Sequence, residues 1–209
     1  MNDSTKDYII ALSGIITGPQ TIPGTVLANS ITIKGVANSI ATSVPSDGIN
    51  ANLADDEAGT ALTINTAVPV TLNNICVKGG HGTEKDGVII GGGLLLGQNA
   101  HVCLDNNTRI LQNITYDKGN GTPGYGAGVY ISNKAKLYEN KDCHITENTA
   151  TCRGAGVYIA DGGTLQTMAG SGSYITLNTF DTSFTDSSMS SWYSRSSSSR
   201  ALSLVCFIF

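Results

Sequence analysis

Two adjacent carboxylates are the side chains of this sequence best suited to catalysis. Asp55 and Asp56 lie in the acidic segment 51–60, and a pair of carboxyl groups can cleave a glycosidic bond by acting as acid and as base or nucleophile. Further along, His81 is flanked by glycines. The same residues also fit a solvated loop followed by a glycine-rich corner. They therefore leave two interpretations open, a carbohydrate-cleaving site and an ordinary loop.

The cysteines and histidines do not have the spacing of a metal site. The five cysteines are Cys76, Cys103, Cys143, Cys152 and Cys206. No two of them have the two-residue separation typical of metal ligands, and the histidines at positions 81, 101 and 144 fall at different places in the repeat described below. Cys143 and Cys152 flank a predicted corner and offer a disulfide pair, but we expect free, partly buried thiols. We expect no metal and no cofactor.

A repeated hexapeptide indicates the architecture that would position these groups. Residues 126–131 and 154–159 both read Gly-Ala-Gly-Val-Tyr-Ile, and a looser copy occupies residues 91–96, so the copies begin 35 and 28 residues apart. The alternation of Ala127, Val129 and Ile131 with Gly128 and Tyr130 predicts a strand. Propeller blades need about 40–50 residues and four strands, which is too long for these units. The sequence therefore predicts an all-β parallel β-helix, or solenoid, of about six rungs.

Stacked rungs place equivalent residues above one another. Val129 is expected over Leu94 and under Val157, within a dry aliphatic column. The predicted core residues are Leu94, Leu96, Val129, Ile131, Val157 and Ile159. The predicted amide ladder consists of Asn113, Asn148 and Asn178, each three residues after an isoleucine. Asparagine suits a ladder because its amide both donates and accepts, and it tolerates the left-handed backbone of a corner. Tyr130 and Tyr158 are expected to face outward as a candidate ligand surface, although such stacks often only cover a sheet.

The chain divides into three predicted segments. We expect residues 1–6 to be disordered, residues 7–179 to form one β-helix domain, and the serine-rich residues 180–209 to be a low-complexity, disordered tail with a truncated or frame-shifted end. Residues 19–24 are predicted to be a turn. Extra residues at 116–124 form a predicted lateral loop, and such insertions often gather on the binding face of a solenoid. The first residues show no signal peptide, because acidic groups outnumber the single lysine there.

The charge of the chain limits its partners. The formal net charge is −4, with only 12 lysines and arginines among 209 residues. This balance argues against nucleic acid or an anionic membrane surface as a partner. The exposed end rungs of a β-helix leave strand edges unpaired, so self-association through the ends is expected.

The repeat resembles that of the chlamydia-type polymorphic outer-membrane proteins and related bacterial surface β-helices. That repeat pairs a Phe-x-x-Asn element with a Gly-Gly-Ala-Ile-like element, and residues 145–150 and 154–159 are similar, with isoleucine for phenylalanine and Gly-Ala-Gly for Gly-Gly-Ala. The resemblance covers residues 70–178. It implies a non-enzymatic, passenger-like or adhesin-like segment at the cell surface, outer membrane or outside the cell, with host or matrix proteins or glycans as partners and any membrane contact indirect.

Two alternatives stay open. Gly80, His81 and Gly82, with Arg109 and Ile110, resemble pieces of the polygalacturonase-type pattern, which implies a pectic lyase or hydrolase. However, Leu111 stands where that pattern has lysine, and no Asn-Thr-Asp element precedes the aspartates. The other alternative is a non-functional fragment of a larger surface repeat protein.

Overall fold

The computed structural model is an all-β parallel solenoid, which confirms the predicted fold class. It describes residues 1–37, 43–115, 121–168 and 170–180, together with the backbone of a strand at Val205–Phe207. No α-helix occurs in these residues. The predicted loop 116–124 is therefore described only from residue 121, and most of the predicted tail lies outside the described residues.

The strands follow one another in six successive coils. The first two coils contain β1 (Asp7–Leu12), β2 (Ile15–Thr17) and β3 (Gln20–Ile22), then β4 (Ser30–Gly35), β5 (Gly48–Asn50) and β6 (Leu62–Ile64). The third coil contains β7 (Val70–Asn73), β8 (Cys76–Lys78), β9 (Thr83–Lys85), β10 (Val88–Ile90) and β11 (Leu94–Leu96). The fourth contains β12 (His101–Asp105), β13 (Arg109–Leu111), β14 (Gly124–Tyr125) and β15 (Val129–Ile131). The fifth contains β16 (Lys136–Glu139), β17 (His144–Thr146), β18 (Thr149–Ala150) and β19 (Val157–Ile159). The sixth contains β20 (Thr164–Thr167), β21 (Tyr174–Thr176), β22 (Thr179–Phe180) and β23 (Val205–Phe207).

Three parallel sheets of six strands each run along the solenoid. The first sheet has the order β1-β4-β7-β12-β16-β20, the second β2-β5-β8-β13-β17-β21, and the third β3-β6-β11-β15-β19-β23. In a parallel sheet the equivalent residues of neighbouring strands lie about 4.8 Å apart, so each inward position continues as a column through the coils. Side chains of alternate residues point to opposite faces, which separates a dry interior from an outer surface.

The predicted core residues form two such columns in the third sheet. Leu94 pairs with Val129 and Val129 with Val157, while Leu96, Ile131 and Ile159 pair in the same way. All six are buried. β-branched and leucine side chains fill this space because they suit a pleated, packed surface. The hexapeptide strand is shorter than predicted, however: it begins at the valine, because the residues before it form a corner.

Other segments also differ from the sequence expectations. Residues 19–24 contain β3 rather than only a turn, since Ile22 continues the column of Ile64. Residues 1–6 pair with the second coil: the Asp3 amide donates to the Leu27 carbonyl, and the Asn29 amide donates to the Lys6 carbonyl. β23 pairs with β19 in the third sheet, and the other residues of the predicted tail after Phe180 lie outside the described residues.

A small lateral sheet covers one corner of the solenoid. β9 and β10 form an antiparallel hairpin, and β10 pairs in parallel with β14 of the next coil. This sheet contains Ile90 and Tyr125, which directly precede two copies of the hexapeptide, and Arg153, which precedes the remaining copy, forms an isolated bridge to Tyr125.

Candidate functional site

Three tyrosines stack where the lateral sheet meets the outer face of the third sheet. The ring centroids of Tyr130 and Tyr158 lie 5.2 Å apart with an interplanar angle of 19°. Tyr125 stacks on Tyr158 at 5.0 Å and 15°. Tyr158 is buried, whereas Tyr125 and Tyr130 are half-buried. The stack therefore offers two partly exposed rings around a covered one.

The backbone fixes Arg153 beside this stack. The Arg153 amide donates to the Gly124 carbonyl at 3.0 Å, and the Gly126 amide donates to the Arg153 carbonyl at 3.0 Å. Tyr125 and Arg153 are thus bridged as equivalent positions of successive coils. The Arg153 guanidinium carbon lies 5.9 Å from the Tyr125 ring centroid, within the range of a cation–π contact.

The two accessible phenols are neutral at physiological pH. Burial raises the pKa of Tyr130, and burial together with the neighbouring Cys152 raises the pKa of Tyr125, against a smaller opposing effect of Arg153. Neutral tyrosines present an apolar ring face and a hydroxyl that donates and accepts hydrogen bonds. The arrangement can therefore bind a flat, partly polar ligand.

The predicted asparagines form a continuous ladder inside the wall. The Asn113 side-chain nitrogen donates to the Asn148 oxygen at 3.0 Å, and the Asn148 nitrogen donates to the Asn178 oxygen at 2.9 Å. The same oxygens accept the backbone amides of Asn113 and Asn148 at 3.1 and 3.0 Å. The ladder therefore satisfies buried backbone groups as well as side chains.

The left-handed backbone at this corner belongs to a different residue than expected. The residue before each ladder asparagine has the positive φ: 54° at Gln112, 56° at Glu147 and 53° at Leu177. Asparagine is therefore required at these positions for its side-chain hydrogen bonds, and not because it tolerates a left-handed backbone.

The third residue of the hexapeptide makes room for the ladder. A Cβ atom on Gly128 would lie 2.4 Å from the Gly156 carbonyl oxygen and 2.9 Å from the Asn148 side-chain nitrogen. Gly156 has the same relation to Asn178, with a Cβ 2.7 Å from its side-chain nitrogen. The two repeated elements, hexapeptide and asparagine, are thus parts of one packing unit.

The side chains that suggested an enzyme differ in exposure: the aspartates are exposed, whereas His81 and Arg109 are buried. Asp55 and Asp56 are exposed in a turn. His81 is buried, with its Nδ1 atom 3.0 Å from the Glu57 carbonyl oxygen. Arg109 is also buried, and its guanidinium donates to the Asp142 carbonyl at 2.8 Å. These contacts are those of side chains that hold loops in place.

Metal and thiol chemistry have little support in the described part of the chain. No group of three or more histidine, cysteine, aspartate or glutamate side chains there is placed to hold a metal ion. No disulfide joins Cys143 and Cys152. Burial raises the pKa of Cys76 to about 11 and that of Cys143 to about 12, so both thiols stay protonated and weakly nucleophilic.

Tyr125 and Arg153 were not among the predicted site residues, although the repeat contains a signal for them. Each directly precedes a hexapeptide, as Ile90 precedes the looser copy, and the three positions pair along the lateral sheet. Alignment of the residue before each copy would have placed them in one column. Their closeness to the tyrosines depends on the corner, which the period of the repeat does not describe.

The fold and this surface define a parallel β-solenoid with an aromatic outer face. No protein-family model, curated protein or solved structure matches the chain. Among the described residues, no helix is long and apolar enough to span a membrane.

Proposed function

We propose that this chain is a non-enzymatic binding segment of a bacterial surface-displayed or secreted protein, similar in role to an adhesin or passenger domain. It binds a host or matrix ligand through the outer face of the third sheet and the adjoining lateral sheet. The observation that supports this proposal is the stack of Tyr125, Tyr158 and Tyr130 at that face.

The stack suits binding for two physical reasons. Tyrosine supplies a large contact area with few rotatable bonds, so little conformational entropy is lost when a ligand binds. Stacking on Tyr158 also holds the neighbouring rings in one orientation before the ligand arrives, which lowers the cost of association.

The enzymatic alternative has weaker support. A carbohydrate hydrolase needs two carboxyl groups on opposite sides of the scissile bond, about 5–10 Å apart. Asp55 and Asp56 are consecutive residues in an exposed turn, where water reaches both carboxyl groups.

A binding array of glycans and extracellular-matrix proteins tests the proposal, with a polysaccharide-cleavage assay on the same full-length preparation. We expect saturable binding without cleavage. Tyr130→Ala should weaken binding by about tenfold or more, the loss typical of an aromatic contact residue. The matched control is Tyr138→Ala, because Tyr138 is a half-buried, outward tyrosine on the first sheet.

Each other outcome counts against the proposal. Equal weakening by both variants would exclude the stack as the binding surface. Cleavage that is lost in Asp56→Asn would favour the enzyme, and silence in both assays would favour a structural fragment.

A further inference from the structure

The cation beside the tyrosine stack has no anionic partner in the described part of the chain. Arg153 is half-buried, and its guanidinium lies over the Tyr125 ring. No ion pair with a carboxylate involves Arg153 among the described residues. A partly desolvated guanidinium is a donor group for a carboxylate or similar anion, which it binds through two parallel hydrogen bonds.

The main chain of Arg153 is held in place by the fold. Two backbone hydrogen bonds, each 3.0 Å long, attach Arg153 to Gly124 and Gly126, on either side of Tyr125. The first residue of the second hexapeptide, Gly154, turns the chain with a φ of 59° directly after Arg153. The main chains of Tyr125 and Arg153 are therefore held side by side, with the guanidinium carbon 5.9 Å from the Tyr125 ring centroid, so an apolar ring and a cation are presented together to a ligand.

The overall charge excludes a general attraction for anions. The chain carries a net charge of −4, so long-range electrostatics disfavour polyanions. An anion that binds here must gain its affinity from short-range contacts with Arg153 and the adjacent rings. This condition favours a ligand in which one sugar ring carries its own carboxylate.

We propose that Arg153 and the adjoining Tyr125 form a binding site for a carboxylated glycan, one that contains uronic or sialic acid residues. The apolar face of a sugar ring stacks on a tyrosine, and its carboxylate accepts hydrogen bonds from the Arg153 guanidinium. The inference rests on the proposed function and specifies its ligand class.

Titration calorimetry with the full-length chain tests this site. The probes are an oligouronate, the same oligosaccharide with its carboxylates methyl-esterified, and a sulfated oligosaccharide without carboxylates. We expect the oligouronate to bind at least about tenfold more tightly than its ester, the effect typical of a charge-assisted hydrogen bond. Added salt should weaken binding of the oligouronate and leave the affinity for the ester unchanged.

Two variants distinguish hydrogen bonding by the guanidinium from the attraction of a positive charge alone. Arg153→Gln should reduce oligouronate affinity about tenfold or more and leave ester affinity within about twofold. Arg153→Lys should keep part of the affinity, since the charge remains but the planar fork is lost. Lys34→Gln is the control, because Lys34 is an exposed cation on β4 of the first sheet, outside the proposed binding surface, and it should change neither affinity.

The outcomes distinguish this inference from the proposed function. Equal binding of acid and ester, unchanged in Arg153→Gln, would overturn the acidic-glycan site while the binding function stands. Preference for the sulfated probe would also overturn it. If none of the three oligosaccharides binds, the inference is overturned. The proposed function is overturned only if the array of glycans and matrix proteins also shows no binding. Unfolding curves of the variants, matched to wild type, exclude misfolding as the cause of lost affinity.

Discussion

Glu139 is a buried carboxylate within an aliphatic column of the first sheet. It pairs with Leu104 on one side and with Thr167 on the other, and it is 1% exposed. Its Oε2 atom accepts a hydrogen bond from the Thr167 hydroxyl at 2.8 Å, and its Oε1 atom has no hydrogen-bond partner among the described residues. Burial raises the pKa of Glu139 above its ordinary value of 4.5.

Glu139→Leu should stabilise the protein increasingly as the pH rises. Below about pH 4.5 the carboxyl group is protonated in both the folded and the unfolded state. Above that value the unfolded chain ionises first, so folding stability is lost as the pH rises through the higher native pKa. We expect the variant to gain about 1–3 kcal/mol at pH 8 and less at pH 4, measured by urea unfolding.

Glu84→Leu is the control, since Glu84 is exposed on β9. A gain of the same size at both pH values would show that the native carboxyl group does not resist ionisation.

Asn148→Ala should destabilise the protein by about 2–5 kcal/mol, because it leaves the buried backbone amide of Asn113 without its acceptor and breaks the side-chain ladder on both sides. Denaturant unfolding measures the loss. Asn133→Ala, at an exposed asparagine, should change stability by less than about 0.5 kcal/mol. Equal effects of the two substitutions would contradict a stabilising role of the ladder.

The coupling of glycine and asparagine is the feature of the repeated element that most constrains its sequence. Gly128→Ala would place a Cβ 2.4 Å from the Gly156 carbonyl, and the rigid backbone there cannot move away. We expect a loss of about 3 kcal/mol or more, or failure to fold. Thermal unfolding and soluble yield measure the effect.

Gly87→Ala is the matched control. Its Cβ would meet open space, and only the left-handed backbone, with a φ of 78°, opposes it. We expect this substitution to lower the free energy of unfolding by about 1 kcal/mol. A larger loss at Gly87 than at Gly128 would contradict the packing argument.

The outer face of the second sheet carries a stack with an unusual histidine. His144 follows Arg109 in the column, and its ring centroid lies 3.5 Å from that of Tyr174. Burial, and secondarily the Arg109 charge, lower the pKa of His144 from 6.5 to about 4. The imidazole is therefore neutral at physiological pH.

The free energy of unfolding should fall as the pH drops from 6.5 to about 4. In this range the unfolded chain binds a proton at His144, whereas the native state does not bind it until about pH 4. His144→Gln should reduce this fall in urea midpoints measured between pH 7 and pH 4. The effect is smaller than the full shift implies, since the ring is only half-buried and solvent screens the charge. The control is His101→Gln at another half-buried position. Parallel pH profiles for wild type and His144→Gln would refute the assignment.

The repeat predicted the third-sheet columns because Val129, Ile131 and their equivalents alternate locally. The repeat also predicted a recurring asparagine, but it did not predict which residue has the positive φ. Hydrogen bonds between coils determine which residue of the corner adopts the left-handed backbone. The burial of Glu139 was not predicted: Leu104 and Thr167 lie 35 residues before it and 28 residues after it, as the spacing of the repeat requires, but neither the repeated hexapeptide nor the recurring asparagine marks this column. Arg153 was missed because it lies outside the repeated hexapeptide itself.

At the scale of the whole molecule, the first coil leaves the interior open. Ile16 is 38% exposed, while Ile49 and Val77, the next members of its column, are 2% and 0% exposed. Strand edges and apolar side chains are thus presented together, which favours pairing with another chain.

We expect association that increases with concentration, measured by light scattering of the full-length chain. Ile16→Lys should weaken it, because a charge on an open edge opposes pairing. Val44→Lys, at a valine that is 53% exposed away from the end coil, should leave it unchanged. A monomer at all concentrations, or equal effects of both lysines, would contradict association through the first coil.

The tyrosine stack also gives the folded chain an optical signature. Near-parallel rings 5.0 and 5.2 Å apart couple their electronic transitions, which adds a contribution to the near-ultraviolet circular dichroism that separated tyrosines do not make. The sole tryptophan, Trp192, lies outside the described residues. The tyrosine band is therefore a built-in spectroscopic probe of whether the fourth and fifth coils have docked in register.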